Sequence, residues 1–236
     1  MTRLAPHTDT VPTNRSRDAL DVLTFLIATL AIHFGVSRMG GGGLAATLVG
    51  VFGVLLVAWT LLRLRGVRWR DVGLRRPRPW WTVLVWTLVV FVLFYGVKTF
   101  IGPLLGREPN LARFAAVHGD LATYLQIVTG IWITSALIEE LVFRGFLLTR
   151  LCNLFGPALP GLILACLVQG ALFGAVHVYQ GVGGVILTGI GGFLLGAVYL
   201  LAGRNLWTLI IAHGVVDSYA LTRIFLFGVP GAEASG

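Results

Sequence analysis

Charge is what this sequence has least of. Only 12% of its 236 residues are Asp, Glu, Lys or Arg, against about a quarter in soluble globular chains, while 56% are hydrophobic and the mean hydropathy is +0.86. That balance excludes an ordinary soluble domain and points to a polytopic membrane protein. Cysteine is nearly missing. Cys152 and Cys166, both in apolar surroundings, exclude a disulfide framework and a CxxC site and read as packing residues. No HExxH segment marks a metalloprotease helix. Nor does a basic face with interleaved aromatics mark a nucleic-acid site, although the formal net charge is +8. Inverted repeats with broken helices, the transporter signature, are absent as well.

The N-terminal stretch lacks both an apolar core and a small-residue cleavage site of its own. With Pro6, Pro12, Asn14, Arg15 and Arg17 it reads as a disordered cytoplasmic tail, 1–18. Residues 19–229 are expected to form one transmembrane helical domain with its chemistry within about 121–220, and 230–236 a short tail. Apolar windows long enough to cross about 30 Å of hydrocarbon predict an all-α, polytopic transmembrane helix bundle. The windows are roughly 20–36, 44–62, 80–101, 121–155, 162–178, 184–201 and 206–220. That makes seven spans, or eight if the apolar stretch 221–229 crosses separately. The stretch 121–155 has no proline and predicts an unusually long fourth helix with an amphipathic C-terminal third. Pro157 and Pro160, flanked by Gly156 and Gly161, then reverse the chain.

Seven arginines between Arg63 and Arg78, against Asp71 alone, place that loop in the cytoplasm. The turns at Pro157 and Arg204 fall on the same side, and the N-terminus with them. Gly192 and Gly196 are spaced for close approach of a neighbouring helix. The mixed loop 102–120 is too short to be a separate domain, and a cap over a site is one use for it.

Against this background Glu139, Glu140, Arg144, His177, His213 and Asp217 stand out, because an ionisable group inside a span is a functional candidate by default. Glu139 lies about 25 Å of helix above the turn at Gly156, and His177 about 24 Å above Gly161, so the two reach a similar depth on antiparallel neighbours. His213 and Asp217, four apart, share a helix face within reach of that layer. A polar pocket between helices four, five and seven follows, directed toward the face opposite the arginine loop. Glu140 stands four residues before Arg144, the favourable order for a helix ion pair. Adjacent helical residues point about 100° apart, so Glu139 is left as the free acid. Phe143 and Phe173, one turn from Glu139 and His177, supply apolar walls. The residues alone leave several chemistries open. Glu139, His177, His213 and Asp217 complete a zinc ligand set, and the same pocket suits metal-free hydrolysis, proton relay in a transporter, or partner binding by an immunity or scaffold protein.

Glu139-Glu140-Leu-Val-Phe-Arg144, Phe173-Gly-Ala-Val-His177 and His213-Gly-Val-Val-Asp217 resemble, in order, the EExxxR, FxxxH and HxxxN/D motifs of the CPBP family. That family of intramembrane proteins includes the CAAX prenyl endopeptidases and bacteriocin-processing or self-immunity proteins. The resemblance covers about 121–220. It implies a glutamate-dependent endopeptidase that requires no metal, with zinc as the alternative. Glu139 would be the base for a water, His177 would help hold it, and His213 with the residue at Asp217 would stabilise the oxyanion. An ionised Asp217 repels an oxyanion, so it is either protonated, or orients His213, or leaves His213 as the sole donor; orientation is the reading favoured here. The implied partners are membrane lipid and a substrate that is a prenylated CAAX protein, another peptide or a membrane protein. The expected location is a bacterial plasma membrane.

Overall fold

Long apolar runs interrupted only at Gly, Pro and Arg clusters wind into helices, since a backbone in hydrocarbon must satisfy its own hydrogen bonds. The computed structural model describes residues 14–38, 44–106 and 109–230, and no strand occurs among them. The helices are α1 (Arg15–Arg38), α2 (Leu44–Leu64), α3 (Trp81–Phe100), α4 (Leu121–Phe155), α5 (Leu159–Ala175), α6 (Gly181–Leu201) and α7 (Leu206–Phe227). Six of them are long and apolar enough to cross a membrane, and α5 is a shorter apolar helix. The stretch 221–229 adds no eighth span, because α7 runs on through it to Phe227. Residues 1–13 of the expected N-terminal tail and 231–236 of the C-terminal one lie outside the described residues. α1 opens at Arg15, which makes Asp18 a helical residue.

Two ends of the bundle are defined by backbone contacts. At one end the arginine-rich loop is held against the α6–α7 joint: the Tyr199 hydroxyl donates to the Val72 carbonyl at 2.7 Å, and the Leu206 N–H to the Gly73 carbonyl at 2.9 Å. Gly73 has φ of 104°, and a side chain there would run into the Arg204 carbonyl, so the loop tucks in only with glycine. At the other end the Asn110 N–H donates to the Gln180 carbonyl at 2.9 Å and the Gly119 N–H to the Phe225 carbonyl at 3.1 Å. Asp120 caps α4 there, accepting from the N–H groups of Thr123 and Ala122 and from the Thr123 hydroxyl. Those bonds, the Thr123 N–H first, hold its carboxyl below the usual carboxylate range.

The α4 helix is the axis of the core. From Trp132 to Leu148 it is wound as a π-helix, whose i→i+5 hydrogen bonds put more residues in each turn than an α-helix does. Every residue from Glu140 to Leu148 is buried. The expected amphipathic C-terminal third is therefore absent, because α1, α2 and α7 pack around that segment and leave it no polar side. α1 is pinned by charge: Arg150 on α4 reaches Asp18 at 3.2 Å and Asp21 at 3.3 Å, and Arg65 reaches Asp21 at 2.7 Å.

Candidate active site

Glycines set the spacing of the site. A Cβ at Gly170 would lie 2.8 Å from the Gly189 carbonyl oxygen, one at Gly174 would lie 2.5 Å from that of Val185, and one at Gly192 would lie 2.9 Å from Cβ of Phe173. α5 and α6 touch along this seam, backbone to backbone, as the Gly192 and Gly196 spacing predicts. α7 approaches α4 in the same way at Gly214, where a Cβ would meet the Trp132 ring at 2.7 Å.

Glu140 and Arg144 are both 0% exposed. Arg144 donates from Nη1 to Glu140 Oε1 at 2.7 Å and from Nη2 to the Gly192 carbonyl at 3.3 Å, and its guanidinium lies 4.6 Å from the Phe173 ring centre. The i,i+4 pair expected from the sequence is formed. Glu140 Oε1 also accepts from His213 Nδ1 at 2.7 Å. Sequence reasoning missed this second bond, because it depends on how α4 and α7 are rotated against each other. A buried Glu joined to an Arg on its own helix still has acceptor capacity to spare, and that was the available signal.

His213 is thus anchored through Nδ1, and its Nε2 stands 3.5 Å from Asp217 Oδ2. His177 lies just past the end of α5, whose C-cap is Val176, rather than within the helix. Its Nδ1 donates to the Phe173 carbonyl at 2.7 Å, which leaves Nε2 as the ring's other functional atom. Phe173 joins these parts, with ring centres 4.8 Å from His177, 6.2 Å from His213 and 5.0 Å from Phe143, the last edge-on.

A cavity of about 210 Å³ collects the remaining groups, with Glu139, His177, His213, Asp217, Ser135 and Phe173 in its wall. Phe143 stands behind Phe173 rather than on the cavity. Glu139 makes no ion pair among the described residues, and its Oε2 is buried without a hydrogen-bond partner. The two neighbouring acids therefore have different surroundings: Glu140 is bonded through Oε1 to Arg144 and His213, although its Oε2 also lacks a partner, and Glu139 lines the cavity. Pro109, Leu111 and Phe114 from loop 102–120 and Tyr179 line the cavity at the end away from the arginine loop. Gln169, fully buried behind the site, has both amide atoms unpartnered.

The zinc alternative needs at least three of these side chains gathered around one point. Among the described residues no three His, Cys, Asp or Glu groups are arranged in that way. Both nitrogens of His213 face carboxylates, and His177 Nδ1 is taken by a carbonyl, which leaves its Nε2 free.

Residues 121–219, from α4 through most of α7, match the family model described as type II CAAX prenyl endopeptidase Rce1-like. The likeness to that family extends over this part of the chain. Comparison with curated proteins and with solved structures found no match. The matched segment contains Glu139, His177, His213 and Asp217; α3 lies outside it and supplies Val90, Phe94, Val97 and Lys98 to the cavity wall. With six helices long and apolar enough to cross a membrane, the protein is an integral membrane protein whose residues 121–219 are similar to that family.

Proposed function

We propose that the protein is an intramembrane endopeptidase in which Glu139 activates a water molecule against a peptide carbonyl without a metal ion. The observation that carries this reading is the place of Glu139, a carboxylate with no ion pair among the described residues on a cavity that two anchored histidines share. A general base must be free of competing partners and within reach of its water. Glu140 is engaged through Oε1 by Arg144 and His213 and does not line the cavity.

In the proposed reaction the water gives a proton to Glu139 while its oxygen bonds to the carbonyl carbon. His177, held by its Nδ1–H, offers Nε2 to position the water. The developing oxyanion is met by His213 Nε2–H. Because Nδ1 donates to Glu140 and Nε2 faces Asp217, the ring is flanked to carry both protons, and a fixed cationic donor in a dry site is worth more than in water. Asp217 thereby orients His213 from one side as Glu140 does from the other. Glu139 then passes its proton to the departing amine nitrogen as the C–N bond breaks. The apolar remainder of the cavity suits an apolar peptide segment, prenylated or not.

The test uses purified protein in lipid vesicles with a peptide library. The native protein is expected to cleave, with and without chelator, and Glu139→Gln to lose at least about a hundredfold. Cleavage that survives Glu139→Gln overturns the assignment of the base. Cleavage abolished by chelator and restored by zinc overturns the metal-free step.

A further inference from the structure

The end of α2 carries a second cavity, which shares no residue with the polar pocket. It has a volume of about 70 Å³ and is lined by Trp59, Leu62, Arg63, Val67, Arg68 and Trp69. A single water needs only ~10–15 Å³, so a compact polar group fits. Two arginines beside two tryptophans match the boundary between lipid tails and headgroups, where tryptophan rings concentrate.

The positive charge of this cavity is not spent within the fold. The last carbonyls of α2 are satisfied by the loop's own backbone: the Arg65 and Val67 N–H groups donate to the Leu62 carbonyl at 3.0 and 2.9 Å, and the Gly66 N–H to the Arg63 carbonyl at 3.0 Å. Asp71 is divided between Arg68 at 3.4 Å and Arg70 at 3.5 Å, and Asp21 between Arg65 and Arg150. Arg63 makes no ion pair among the described residues, and its guanidinium lies 5.8 Å from the Trp59 ring centre.

Beside the cavity α2 offers a track for a hydrocarbon chain. Phe52, Leu56, Trp59 and Arg63 follow one another at intervals of four, three and four residues, which places them on one helix face. The three apolar members are exposed. Trp59 stands about 6 Å before Arg63 along the axis. An anion held by the arginines therefore has apolar surface directly next to it.

We propose that this cavity binds the phosphate of an anionic phospholipid, with one acyl chain lying along Phe52, Leu56 and Trp59. Arg63 and Arg68 meet the phosphate oxygens with charge-assisted hydrogen bonds. The cavity wall is also tied to the core. The Trp69 ring and the Val72 side chain lie against Gly145 on α4, each 3.6 Å from where a Cβ would stand, and Gly145 follows Arg144 in the chain. A lipid seated on the outer side of Trp69 stabilises the loop that packs on α4. Lipid binding here is independent of the chemistry of the polar pocket.

The experiment is native mass spectrometry of the full chain released from detergent micelles, titrated with phosphatidylglycerol or phosphatidylcholine, beside thermal unfolding with the same lipids. The native protein is expected to retain phosphatidylglycerol at a concentration at least about fivefold lower than phosphatidylcholine, the effect of one arginine near a lipid surface, and to unfold at a higher temperature with it. Arg63→Gln is expected to weaken phosphatidylglycerol retention about fivefold. Trp59→Ala is expected to weaken it with every charge in place. Arg76→Gln removes the same charge from an exposed position of the same loop outside the cavity and is expected to change nothing. Excess inorganic phosphate is expected to leave the lipid bound. Equal retention of the two lipids overturns the proposal, as does full retention by both Arg63→Gln and Trp59→Ala. Equal losses in Arg63→Gln and Arg76→Gln overturn it in favour of diffuse loop charge, and displacement by inorganic phosphate in favour of a simple anion site. Cleavage by the native chain and its loss in Glu139→Gln are read separately from all of these.

Discussion

At the scale of single residues, two adjacent acids carry opposite burdens. Glu140 neutralises a fully buried arginine and holds a histidine, so Glu140→Gln leaves Arg144 without its counter-charge. Breaking a buried pair from one side costs about 3–5 kcal/mol. A large drop in the unfolding midpoint in detergent is expected, and activity falls with it. Glu139→Gln removes a carboxylate that has an unpartnered buried oxygen, so the midpoint is expected to stay or rise while activity disappears. Thermal unfolding of both variants beside their cleavage rates checks the contrast; equal destabilisation by the two changes contradicts it. Part of this division is legible in the sequence, because Glu140 and Arg144 sit four apart and Glu139 points elsewhere. The bond from His213 to Glu140 is not legible, since chain spacing fixes depth along a helix but not its rotation against a neighbour.

At the scale of elements, the α5–α6 seam positions His177. Gly174→Ala places a methyl against the Val185 carbonyl, which is backbone and cannot turn aside. A loss of about 1–3 kcal/mol is expected, together with reduced activity, because Gly174 lies three residues before His177. Gly130→Ala, with nothing within 4 Å, is expected to change neither, and unfolding midpoints with cleavage rates compare the two. The start of α4 gives a pH prediction. The Asp120 carboxyl is held low in the fold, so its contribution to the cap is complete at neutral pH and is lost as pH falls through that lowered value. Asp120→Asn keeps a capping side chain and removes this acid dependence. Hydrogen exchange at Ala122 and Thr123, native against variant across acidic pH, measures it. Helix existence and order were readable from hydropathy alone. The π-winding of Trp132–Leu148 was not, because its apolar residues satisfy an α-helix equally well and only packing selects the wider turn.

At the scale of the whole molecule, charge does two things. Inside the fold, Asp18 and Asp21 on α1 bind Arg150 on α4 and Arg65 in the loop after α2. Asp21→Ala is expected to cost about 3–5 kcal/mol by leaving both arginines under-compensated, with cleavage at low temperature retained because the network is remote from the cavity. Reading 1–18 as a polar tail hid this network, since a lone Asp near a terminus gives no sign of a partner 132 residues away. Along the bundle, the arginines of the 63–78 loop gather at the end away from loop 102–120, whose residues line the cavity. The alternation of turns made the depth of the pocket calculable from the sequence. The lining of the cavity by Pro109, Leu111 and Phe114 was not calculable, because a mixed loop carries no periodicity from which its docking could be read.

The central claim is that Glu139 performs proteolysis in the cell. Comparison of protein N-termini between cells carrying the native chain and cells carrying Glu139→Gln at equal abundance tests it most directly. A set of internal cleavage sites present with the native protein and missing with the variant is the result expected. Identical sets of N-termini in the two strains would contradict it.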